Sequence, residues 1–549
     1  MAQSFNYYFE ESIKKNWELP ALSDFKGVAY HYKDIARKIE KIHILFEAAG
    51  VEKGDRIALC GRNSSHWAVA MFATLAYGAV AVPVLHEFKA DNVHNIVNHS
   101  EAKLLCVGDM VWENLNDEMM PDLTGIILLN DFSVLKSKSK KLVEARQHLN
   151  ELFGKKYPER FSASDIKYHV DSPEELAIIN YTSGSTGFSK GVMLPYRALH
   201  ANLQFCVENL PWLKTGDNAV SMLPMAHMYG LMIELFNPFS KGCHIHFLTR
   251  IPSPKIILDA FAECKPPIII AVPLIIEKII KNKVFPLLDK PIMKFLMMIP
   301  FVDNQLLSKI KAKLEESFGG NLKQIIVGGA ALNKEVEEFL RKIDFPITVG
   351  YGMTECAPLV SYAPWNETKQ GACGKLCNYM EARVNSKDPE NIAGELWLKG
   401  PNVMQGYFKN EEATEAVMDG EWMNTGDLAL IDSEGYIFIK GRSKNMILGP
   451  SGQNIYPEEI EDQLNNMPFV SESIVIEQDG KLVWLVYPDF DNGEKEGISQ
   501  KAMEAQMEEN RVAANKILPA YSQIAKIKVY YEEFEKTPKR SIKRYLYQG

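Results

Sequence analysis

Long apolar runs are missing from this sequence, which argues against membrane-spanning helices. A span needs about 18 consecutive apolar residues. The nearest stretch, residues 291–302, is shorter, contains Lys294 and is interrupted by Pro300. We interpret it as a buried or surface-lying helix and leave a weak peripheral membrane contact as the alternative. The first residues, MAQSFNYYFEE, have no basic segment followed by an apolar one, so no secretory signal is expected.

Cysteine is scarce, and positive charge is not in excess. Eight cysteines in 549 residues are too few for a disulfide framework, and no second Cys/His pair accompanies Cys373 and Cys377 at zinc spacing. We therefore expect free thiols in a reducing cytoplasm, with the inner face of the membrane as the alternative location. The net charge of −9 argues against nucleic acid as the main ligand. Nothing in the composition indicates an oligomeric state.

Strand and helix patterns alternate along the first part of the chain. At 549 residues the chain is too long for one hydrophobic core and implies at least two domains. Alternating elements predict a mostly parallel, doubly wound sheet. Residues 133–161 are polar and rich in lysine, which predicts a solvated surface insertion. The predicted helices span 29–50, 65–77 and 92–100, and the predicted strands span 57–60, 79–85 and 104–107.

The most informative stretch is YTSGSTGFSKG, residues 181–191. It follows an apolar, β-prone run at 176–180 that we predict to be a buried strand. A loop of small, hydroxyl-rich residues offers many N–H and O–H donors, and Lys190 adds positive charge, so the loop can wrap a phosphate chain. The Walker-A pattern is absent because Gly191 follows the lysine, and the dinucleotide G-x-G-x-x-G is absent too. A flexible linker is disfavoured by the buried strand in front.

Two further glycine-rich turns follow predicted strands. The run at 322–327 ends in GGAA, residues 328–331, and Asn333 is placed to cap the next helix. The run at 347–349 ends in GYGMTE, residues 350–355. In a βαβ unit both turns lie at the same edge of the sheet, which is where open α/β sheets bind ligands.

Taken together, these motifs resemble those of the acyl-adenylate-forming (AMP-binding) superfamily, which includes acyl-CoA synthetases, luciferases and the adenylation domains of peptide synthetases. Two more segments support the resemblance: PMAHMYG at 224–230 and EWMNTGD at 421–427. The likeness extends over about residues 29–547, and GRSKNMI with NIYPEEIE looks most like long-chain fatty acid–CoA ligases.

The resemblance implies an α/β fold with a large N-terminal domain, residues 1–441, and a small C-terminal domain, residues 442–549. The first domain is expected to hold doubly wound, mostly parallel sheets and a β-rich subdomain. The second is expected to be a mobile α+β domain that rotates at a hinge near Lys444. Gly452, Gln453 and Asn454 are expected in the loop that lines the path of CoA, where glycine lets the pantetheine arm pass close to the backbone.

Site roles are likewise implied by the resemblance. Gly329 and Ala330 are expected to contact adenine, and Tyr351 to stack on it. Asp427 is expected to accept hydrogen bonds from both ribose hydroxyls, because a carboxylate offers two acceptor oxygens. Glu355 is expected to bind Mg²⁺, which prefers carboxylate and phosphate oxygens. The expected catalytic residues are Thr186, Lys190, His227, Thr354, Glu355, Arg442 and Lys543. The expected ATP and AMP contacts are Thr182, Ser183, Gly184, Ser185, Thr186, Gly187, Lys190, Gly329, Ala330, Ala331, Tyr351, Gly352, Met353, Thr354, Asp427 and Arg442.

One position departs from the family pattern. The family's C-terminal motif T-x-x-x-K-[IL]-x-R carries a lysine that bridges carboxylate and phosphate. Matching Thr537, Ile542 and Arg544 puts Ser541 where that lysine belongs, and serine carries no charge. In an extended segment Lys539 and Lys543 point to the same side as Ser541. We hypothesise that one of these two lysines substitutes, and the sequence leaves open which.

The implied activity is ATP-dependent conversion of a medium- or long-chain fatty acid to acyl-AMP, followed by thioester formation with CoA. ATP, Mg²⁺ and CoA are the implied cofactors. One alternative is an acyl-AMP ligase that loads an acyl carrier protein. Another is an acyl-adenylate or AMP-binding protein with weak turnover because of Ser541. Acyl chain length stays open, and the Met- and Phe-rich stretch at 291–301 is interpreted equally as tunnel lining or core.

Overall fold

The computed structural model describes residues 4–182, 190–250, 253–299, 302–448, 454–537 and 542–548. Its helices are α1 Phe5–Lys15, α2 Tyr32–Ala48, α3 Ser65–Tyr77, α4 Ala90–His99, α5 Asp109–Trp112, α6 Lys140–Gln147, α7 Leu149–Lys156, α8 Tyr196–Asn209, α9 Asn237–Ser240, α10 Pro254–Cys264, α11 Pro273–Ile279, α12 Phe285–Leu288, α13 Pro291–Met297, α14 Val302–Ser317, α15 Lys334–Lys342, α16 Glu411–Glu415, α17 Pro457–Leu464, α18 Phe490–Lys495 and α19 Gln500–Ile517.

The strands form several sheets. In chain order they are β1 Pro20–Asp24, β2 Ala29–His31, β3 Arg56–Cys60, β4 Val80–Val84, β5 Ala102–Val107, β6 Gly125–Leu128, β7 Val134–Ser137, β8 Leu176–Thr182, β9 Lys190–Pro195, β10 Asn218–Ser221, β11 His244–Phe247, β12 Ile268–Ala271, β13 Gln324–Val327, β14 Ile347–Val349, β15 Tyr351–Gly352, β16 Leu359–Tyr362, β17 Lys375–Leu376, β18 Glu381–Asn385, β19 Gly394–Lys399, β20 Gly406–Tyr407, β21 Met418–Asp419, β22 Trp422–Ile431, β23 Ile437–Arg442, β24 Ile447–Leu448, β25 Asn454–Ile455, β26 Val470–Gln478, β27 Lys481–Pro488 and β28 Ile524–Val529.

The largest sheet has the order β20-β9-β8-β4-β3-β5-β6-β7. Its centre, from β8 to β6, is parallel, and the pairs at both ends are antiparallel. Strand β4 is buried at all of its positions. Continuous apolar runs of this kind are typical of parallel strands that are covered on both faces. The sheet brings the strand before the YTSGSTG loop next to this apolar centre.

A second parallel sheet, β12-β13-β14, carries the two glycine-rich turns. Strands β13 and β14 are parallel neighbours and α15 crosses between them, which confirms the predicted βαβ unit. The side chain of Asn333 accepts a hydrogen bond from the Val336 amide and so caps α15, as predicted. Residues 328–331 and 350–355 therefore leave the sheet at the same edge.

An antiparallel group, β18-β19-β22-β21 with β23 beside β22, forms the β-rich part of the molecule. The sheet β26-β27-β28 lies near the C-terminus, and its apolar core is completed by α17 and α19. The predicted fold class is therefore confirmed: the protein is mixed α/β, with parallel sheets in the N-terminal domain and a separate C-terminal domain.

One predicted boundary in the N-terminal half is wrong: the helix predicted from residue 29 begins at Tyr32, because Ala29–His31 pairs with β1 as strand β2. Residues 133–161 lie at the surface, as predicted, and most of their side chains are exposed or partly buried. They are nevertheless part of the fold, because they supply edge strand β7 and helices α6 and α7, which pack on α2. Leu142 is fully buried and Phe161 is 7% exposed. The lysines between these apolar positions obscured the packed pattern.

The stretch after residue 291 forms the surface-lying helix α13, one of the two predicted alternatives. Ile292 and Met298 are 75% and 81% exposed. These side chains neither fill a core nor line a tunnel, so both of those interpretations are wrong for them. Among the described helices, none is both long and apolar enough to cross a bilayer.

Candidate functional site

The predicted phosphate loop is framed by strands β8 and β9. Thr182 and Lys190 face each other across this antiparallel pair, so the strands fix both ends of the loop. The loop residues between them, Ser183, Gly184, Ser185, Thr186 and Gly187, lie outside the described residues. Asn180 on β8 is buried, and its side-chain amide donates to the carbonyl of Ala226 at 2.9 Å. This bond ties the strand before the loop to the segment that contains His227.

The His227 segment is held in a tight turn. The amide of Met225 donates to Oδ1 of Asn63 at 2.9 Å. A Cβ atom at Gly230 would lie 2.7 Å from the carbonyl oxygen of Pro224, so this close approach requires glycine. The hydroxyl of Tyr229 donates to the carbonyl of Ile326 on β13 at 3.1 Å. His227 is thus fixed between the largest sheet and the strand that leads to the GGAA turn.

Lys190 and Glu355 are both in contact with Tyr407, a residue that sequence analysis missed. The Lys190 ammonium lies 4.7 Å from the centre of the Tyr407 ring, in a cation–π contact. The Tyr407 hydroxyl donates to Oε1 of Glu355 at 3.0 Å. Tyr407 belongs to the two-residue strand β20, which pairs with β9 at Val192. No motif indicated it, because the sheet rather than sequence spacing brings it to the site.

Asp427 is the most strongly tethered carboxylate of the site. Its Oδ2 accepts a hydrogen bond from the Tyr351 hydroxyl at 2.5 Å, and its Oδ1 lies 3.0 Å from Nε of Arg442. The side chain is only 7% exposed, whereas that of Arg442 is 55% exposed. Burial raises the pKa of the Asp427 carboxyl above its usual range, although Arg442 and Tyr351 oppose this shift. Burial also raises the pKa of Tyr351 well above its usual value, and the neighbouring Asp427 adds to this rise.

The backbone around Asp427 explains its orientation. Asp427 and Arg442 are direct partners across strands β22 and β23. The amide of Asp427 donates to Oγ1 of Thr425 at 3.0 Å, and Nη1 of Arg442 donates to the Thr425 carbonyl at 3.1 Å. Gly426 has φ +71°, a left-handed conformation that favours glycine. The T-G-D sequence therefore lies within β22, at a shift in its register with β19, and the strand positions the carboxylate beside Tyr351.

The predicted adenine contacts are accessible. Gly329, Ala330 and Ala331 are exposed, as is Gly352, whereas Met353 and Tyr351 are partly buried. Gly329 has φ +89°, which only glycine adopts readily. Thr354 is 4% exposed and begins a short 3₁₀ turn that also contains Glu355. The structure therefore brings Tyr351, Asp427 and Arg442 into direct contact and places the open GGAA turn on the neighbouring strand end.

Glu355 offers one carboxylate to a metal ion. No group of three or more His, Cys, Asp or Glu side chains in the described part of the chain forms a metal cluster. Mg²⁺ often takes one or two carboxylates and completes its shell with water and substrate phosphates. A single carboxylate that shares the neighbour Tyr407 with Lys190 fits that mode and does not fit a permanent, all-protein metal site.

The hinge candidate Lys444 lies in the 3₁₀ turn Ser443–Asn445. The turn is tied on both sides: the Ser443 hydroxyl donates to Oε1 of Glu395 at 3.0 Å, and Nδ2 of Asn445 donates to Glu458 at 2.6 Å. Asn454 pairs in strand β25. The other two predicted CoA-loop residues, Gly452 and Gln453, lie outside the described residues.

Of the two lysines predicted to substitute for the missing tail lysine, the structure describes only Lys543. Lys539 and Ser541 lie outside the described residues. The Lys543 ammonium lies 3.1 Å from Oε2 of Glu535. In this structure the charge of Lys543 is therefore directed to a carboxylate of its own domain.

Sequence comparison identifies the class of protein that this fold and site define. The family model for AMP-binding enzymes matches residues 9–408, so the chain belongs to the AMP-binding enzyme family. Within it the protein falls among the acyl-adenylate-forming CoA ligases. The family assignment and the predicted resemblance agree.

Individual relatives are distant. The chain is 28% identical over 466 residues to the long-chain-fatty-acid–CoA ligase FadD15 of Mycobacterium bovis, covering 81% of this chain and 74% of that protein. It is 29% identical over 474 residues to the probable CoA ligase CCL5 of Humulus lupulus, covering 84% and 77%. The crystal structure of the anthranilate CoA ligase AuaEII with anthranoyl-AMP has a TM-score of 0.77 at 19% identity, covering 99% and 96% of the two chains. These names span fatty and aromatic acids, so the family alone does not fix the acid.

Proposed function

We propose that this protein is an AMP-forming ligase that activates a medium- or long-chain fatty acid and transfers the acyl group to CoA. The observation that carries the proposal is the buried Asp427 carboxylate on strand β22, which Tyr351 and Arg442 contact at hydrogen-bond distance. An acceptor group with two oxygens beside an aromatic ring suits an adenosine moiety. The fatty-acid substrate is supported by relatives such as FadD15.

Each side chain has a distinct task in the proposed first step. Bringing an anionic carboxylate against an anionic phosphate requires positive charge and preorganised donors. Lys190 supplies a cation at the end of the phosphate loop, and Tyr407 restrains it. Asp427 would accept hydrogen bonds from the ribose hydroxyls, which would replace Tyr351 and Arg442 as its donors. Glu355 and phosphate oxygens would hold Mg²⁺, which when bound supplies charge neutralisation on the phosphates.

In the second step a thiol attacks the acyl-AMP carbonyl, the thioester C–S bond forms, and the acyl–oxygen bond of the mixed anhydride breaks and releases AMP. We propose CoA as the acceptor, with an acyl carrier protein as the alternative. Gly452, Gln453 and Asn454 are the proposed lining of the CoA path, and Lys444 the proposed hinge between domains 1–441 and 442–549. All eight cysteines are free thiols, which supports a reducing location such as the cytoplasm.

The missing tail lysine bears on the rate of the first step. Because Lys543 is paired with Glu535 in this structure, we favour Lys539 as the substitute for the charge absent at Ser541. The alternative rests on Ser541 itself: with no charge at that position, the protein binds acyl-adenylate or AMP and turns over slowly.

The deciding experiment is acid-dependent ATP–pyrophosphate exchange, measured across fatty acids of increasing length and with aromatic acids such as anthranilate. Exchange with an optimum among the fatty acids supports the proposal, whereas an optimum among aromatic acids contradicts the substrate class. AMP release that requires CoA separates the ligase from a carrier-protein loader. No exchange with any acid, together with measurable AMP binding, would indicate the binding protein.

A further inference from the structure

A histidine outside every motif contacts the strand that leads into the predicted phosphate loop. His99 is the last residue of helix α4, and its Nδ1 lies 2.7 Å from the hydroxyl oxygen of Tyr181 on β8. The two rings meet edge to face, with their centres 5.8 Å apart. Tyr181 is 4% exposed, whereas His99 lies at the surface. A buried tyrosine is therefore bonded to a side chain that can be replaced without opening the core.

In this hydrogen bond the tyrosine donates and the histidine accepts. Burial raises the pKa of Tyr181, so its hydroxyl keeps its proton. Burial and the positive charge of Lys409 lower the pKa of His99, although Glu101 opposes this shift, so the neutral ring is favoured. A neutral imidazole has one unprotonated nitrogen, and Nδ1 is the nitrogen that faces the hydroxyl. The contact therefore depends on an acceptor atom at this position and not on a positive charge.

The Tyr181 ring in turn packs against the end of the loop. Tyr181 and Gly191 are direct partners across β8 and β9, next to the pair of Thr182 and Lys190 that frames the loop. A Cβ atom at Gly191 would lie 3.0 Å from Cζ of Tyr181, so the ring lies directly against the glycine backbone. Because packed interiors transmit strain, a displacement of this ring moves the backbone next to Lys190.

His99 also contacts the segment that carries Tyr407. The residue after Tyr407 is Phe408, whose ring lies edge to face with that of His99, with the ring centres 5.8 Å apart. The Phe408 amide donates to the carbonyl of Gly191 at 2.7 Å. Tyr407 itself lies beside the Lys190 ammonium. His99 therefore touches both the strand before the loop and the segment whose tyrosine contacts Lys190.

We propose that His99 is a positioning residue for the binding of the ATP triphosphate. By fixing the Tyr181 ring it holds β8 and β9 at the base of the loop, and it thereby sets where Lys190 presents its charge to the phosphates. His99 does not touch the nucleotide itself. Small displacements of a charged group that binds a reacting substrate are costly, so a residue behind the loop can affect binding in front of it. The identity of the ligand as ATP rests on the proposed function.

A purely structural role for His99 is the competing explanation. In that case the hydrogen bond only satisfies the Tyr181 hydroxyl, and its loss lowers stability without distinguishing one nucleotide from another. A positioning role predicts a selective effect instead, because AMP lacks two of the three phosphates that the loop would bind. A comparison of ATP with AMP therefore separates the two explanations.

The test is titration of the full chain with ATP in Mg²⁺ and, separately, with AMP. The probe variant His99→Phe keeps a ring beside Phe408 and removes the acceptor nitrogen. The conservative variant His99→Asn keeps an acceptor oxygen close to the position of Nδ1. The matched control is His148→Phe, which changes another exposed histidine at the C-terminal end of α6. Thermal unfolding of all three variants checks that the fold is retained.

His99→Phe should weaken ATP binding about fivefold, as expected for the loss of one hydrogen bond, and should change AMP binding less than about twofold. His99→Asn should bind ATP within about twofold of the wild type, and His148→Phe should change neither affinity. Tyr181→Phe should reproduce the effect of the probe variant. In a Lys190→Gln background, His99→Phe should add less than about twofold, because the charge that it positions is already gone.

Four results would overturn the positioning role. They are an unchanged ATP affinity in His99→Phe, equal losses for ATP and AMP, an equal loss in His99→Asn, and a full fivefold effect in the Lys190→Gln background. Equal losses for the two nucleotides would assign a structural role to the histidine.

Pyrophosphate exchange by the wild type separates this proposal from the proposed function. Exchange by the wild type together with an unchanged ATP affinity in His99→Phe would refute the positioning role and retain the ligase. A selective loss of ATP affinity in that variant, without exchange by the wild type with any acid, would do the reverse. No ATP binding by the wild type would overturn both.

Discussion

The proposed adenosine side of the site, around Asp427, is buried and held by a paired strand, whereas the described end of the C-terminal tail is partly or fully exposed. Asp427 lies on a paired strand, is buried, and is held by Tyr351 and Arg442 at hydrogen-bond distance. The tail from residue 542 joins its domain through a bridge between Lys536 and Ile542 and an ion pair of Arg544 with Glu461 at 2.6 Å. In the proposed function, nucleotide recognition is therefore set by sheet geometry, while the charge for the chemical step depends on a peripheral segment. A change in the first region should abolish binding, and a change in the second should alter rate.

Replacing Asp427 with alanine breaks the adenosine side. The expected result is a loss of about 100-fold in AMP affinity, because two hydrogen bonds to a charged acceptor are lost at roughly 1.5 kcal/mol each. Isothermal titration with AMP measures it. The matched control is Asp419→Ala, an aspartate whose side chain is 74% exposed. A loss of less than about threefold would contradict the assignment of Asp427 to the ribose.

Replacing Glu355 with glutamine separates metal binding from adenosine binding. ATP affinity in Mg²⁺ should fall about thirtyfold, since one charged contact of roughly 2 kcal/mol is lost. AMP affinity without Mg²⁺ should be unchanged. Titrations of both nucleotides, with and without Mg²⁺, test this pairing. Equal losses for the two nucleotides would mean that Glu355 supports the turn rather than the cation.

Converting Ser541 to lysine restores the family's charge in the tail. The pyrophosphate exchange rate should rise about tenfold, since a placed cation stabilises the charge that develops in the first step. AMP affinity should stay the same, because the adenosine side is untouched. Lys539→Gln in the wild type should lower exchange, and Lys543→Gln should not. An unchanged rate in Ser541→Lys would show that this position is not the family's lysine position.

Removing the Tyr407 hydroxyl tests the link between the phosphate loop and Glu355. Tyr407→Phe keeps the ring beneath Lys190 but removes the hydrogen bond to Glu355. The affinity for ATP with Mg²⁺ should fall about fivefold, which corresponds to roughly 1 kcal/mol for one hydrogen bond. Tyr407→Leu should cost more because the cation–π contact is lost too. Equal effects of the two variants would assign the whole contribution to the ring.

Acid should weaken AMP binding through Asp427. Its pKa is raised by burial, so the carboxyl gains a proton at a higher pH than an ordinary aspartate. Ribose recognition needs the ionised carboxylate. The affinity for AMP should therefore fall about twofold at the pH where half of the Asp427 carboxyls are protonated. The same shift makes the ionised carboxyl a cost to folding above that pKa, and this cost disappears as the pH falls. Titrations with AMP from neutral to acid pH should show this fall in affinity. The Asp427→Asn variant should bind AMP weakly at every pH and show no such fall.

Much of the framework was predictable because the relevant patterns are local. Helix α3, Ser65–Tyr77, has the predicted bounds, and the strand–turn–helix around Asn333 follows from an apolar run, two glycines and a cap. The segment 133–161 was not predictable in this way. Its apolar residues alternate with lysines, and only packing against α2 reveals which of them are buried.

In the candidate site, too, some features were predictable from local sequence and others were not. The sequence by itself determined the positions of the glycine turns, the T-G-D carboxylate and the departure at Ser541, because these depend on residue identity and short spacing. Tertiary structure alone decided that Tyr407 contacts both Lys190 and Glu355, and that Tyr351 and Arg442 converge on Asp427. It also decided that α13 lies on the surface, since burial depends on what packs against a helix. Residues far apart in sequence meet only when strands pair, and pairing is a property of the whole fold.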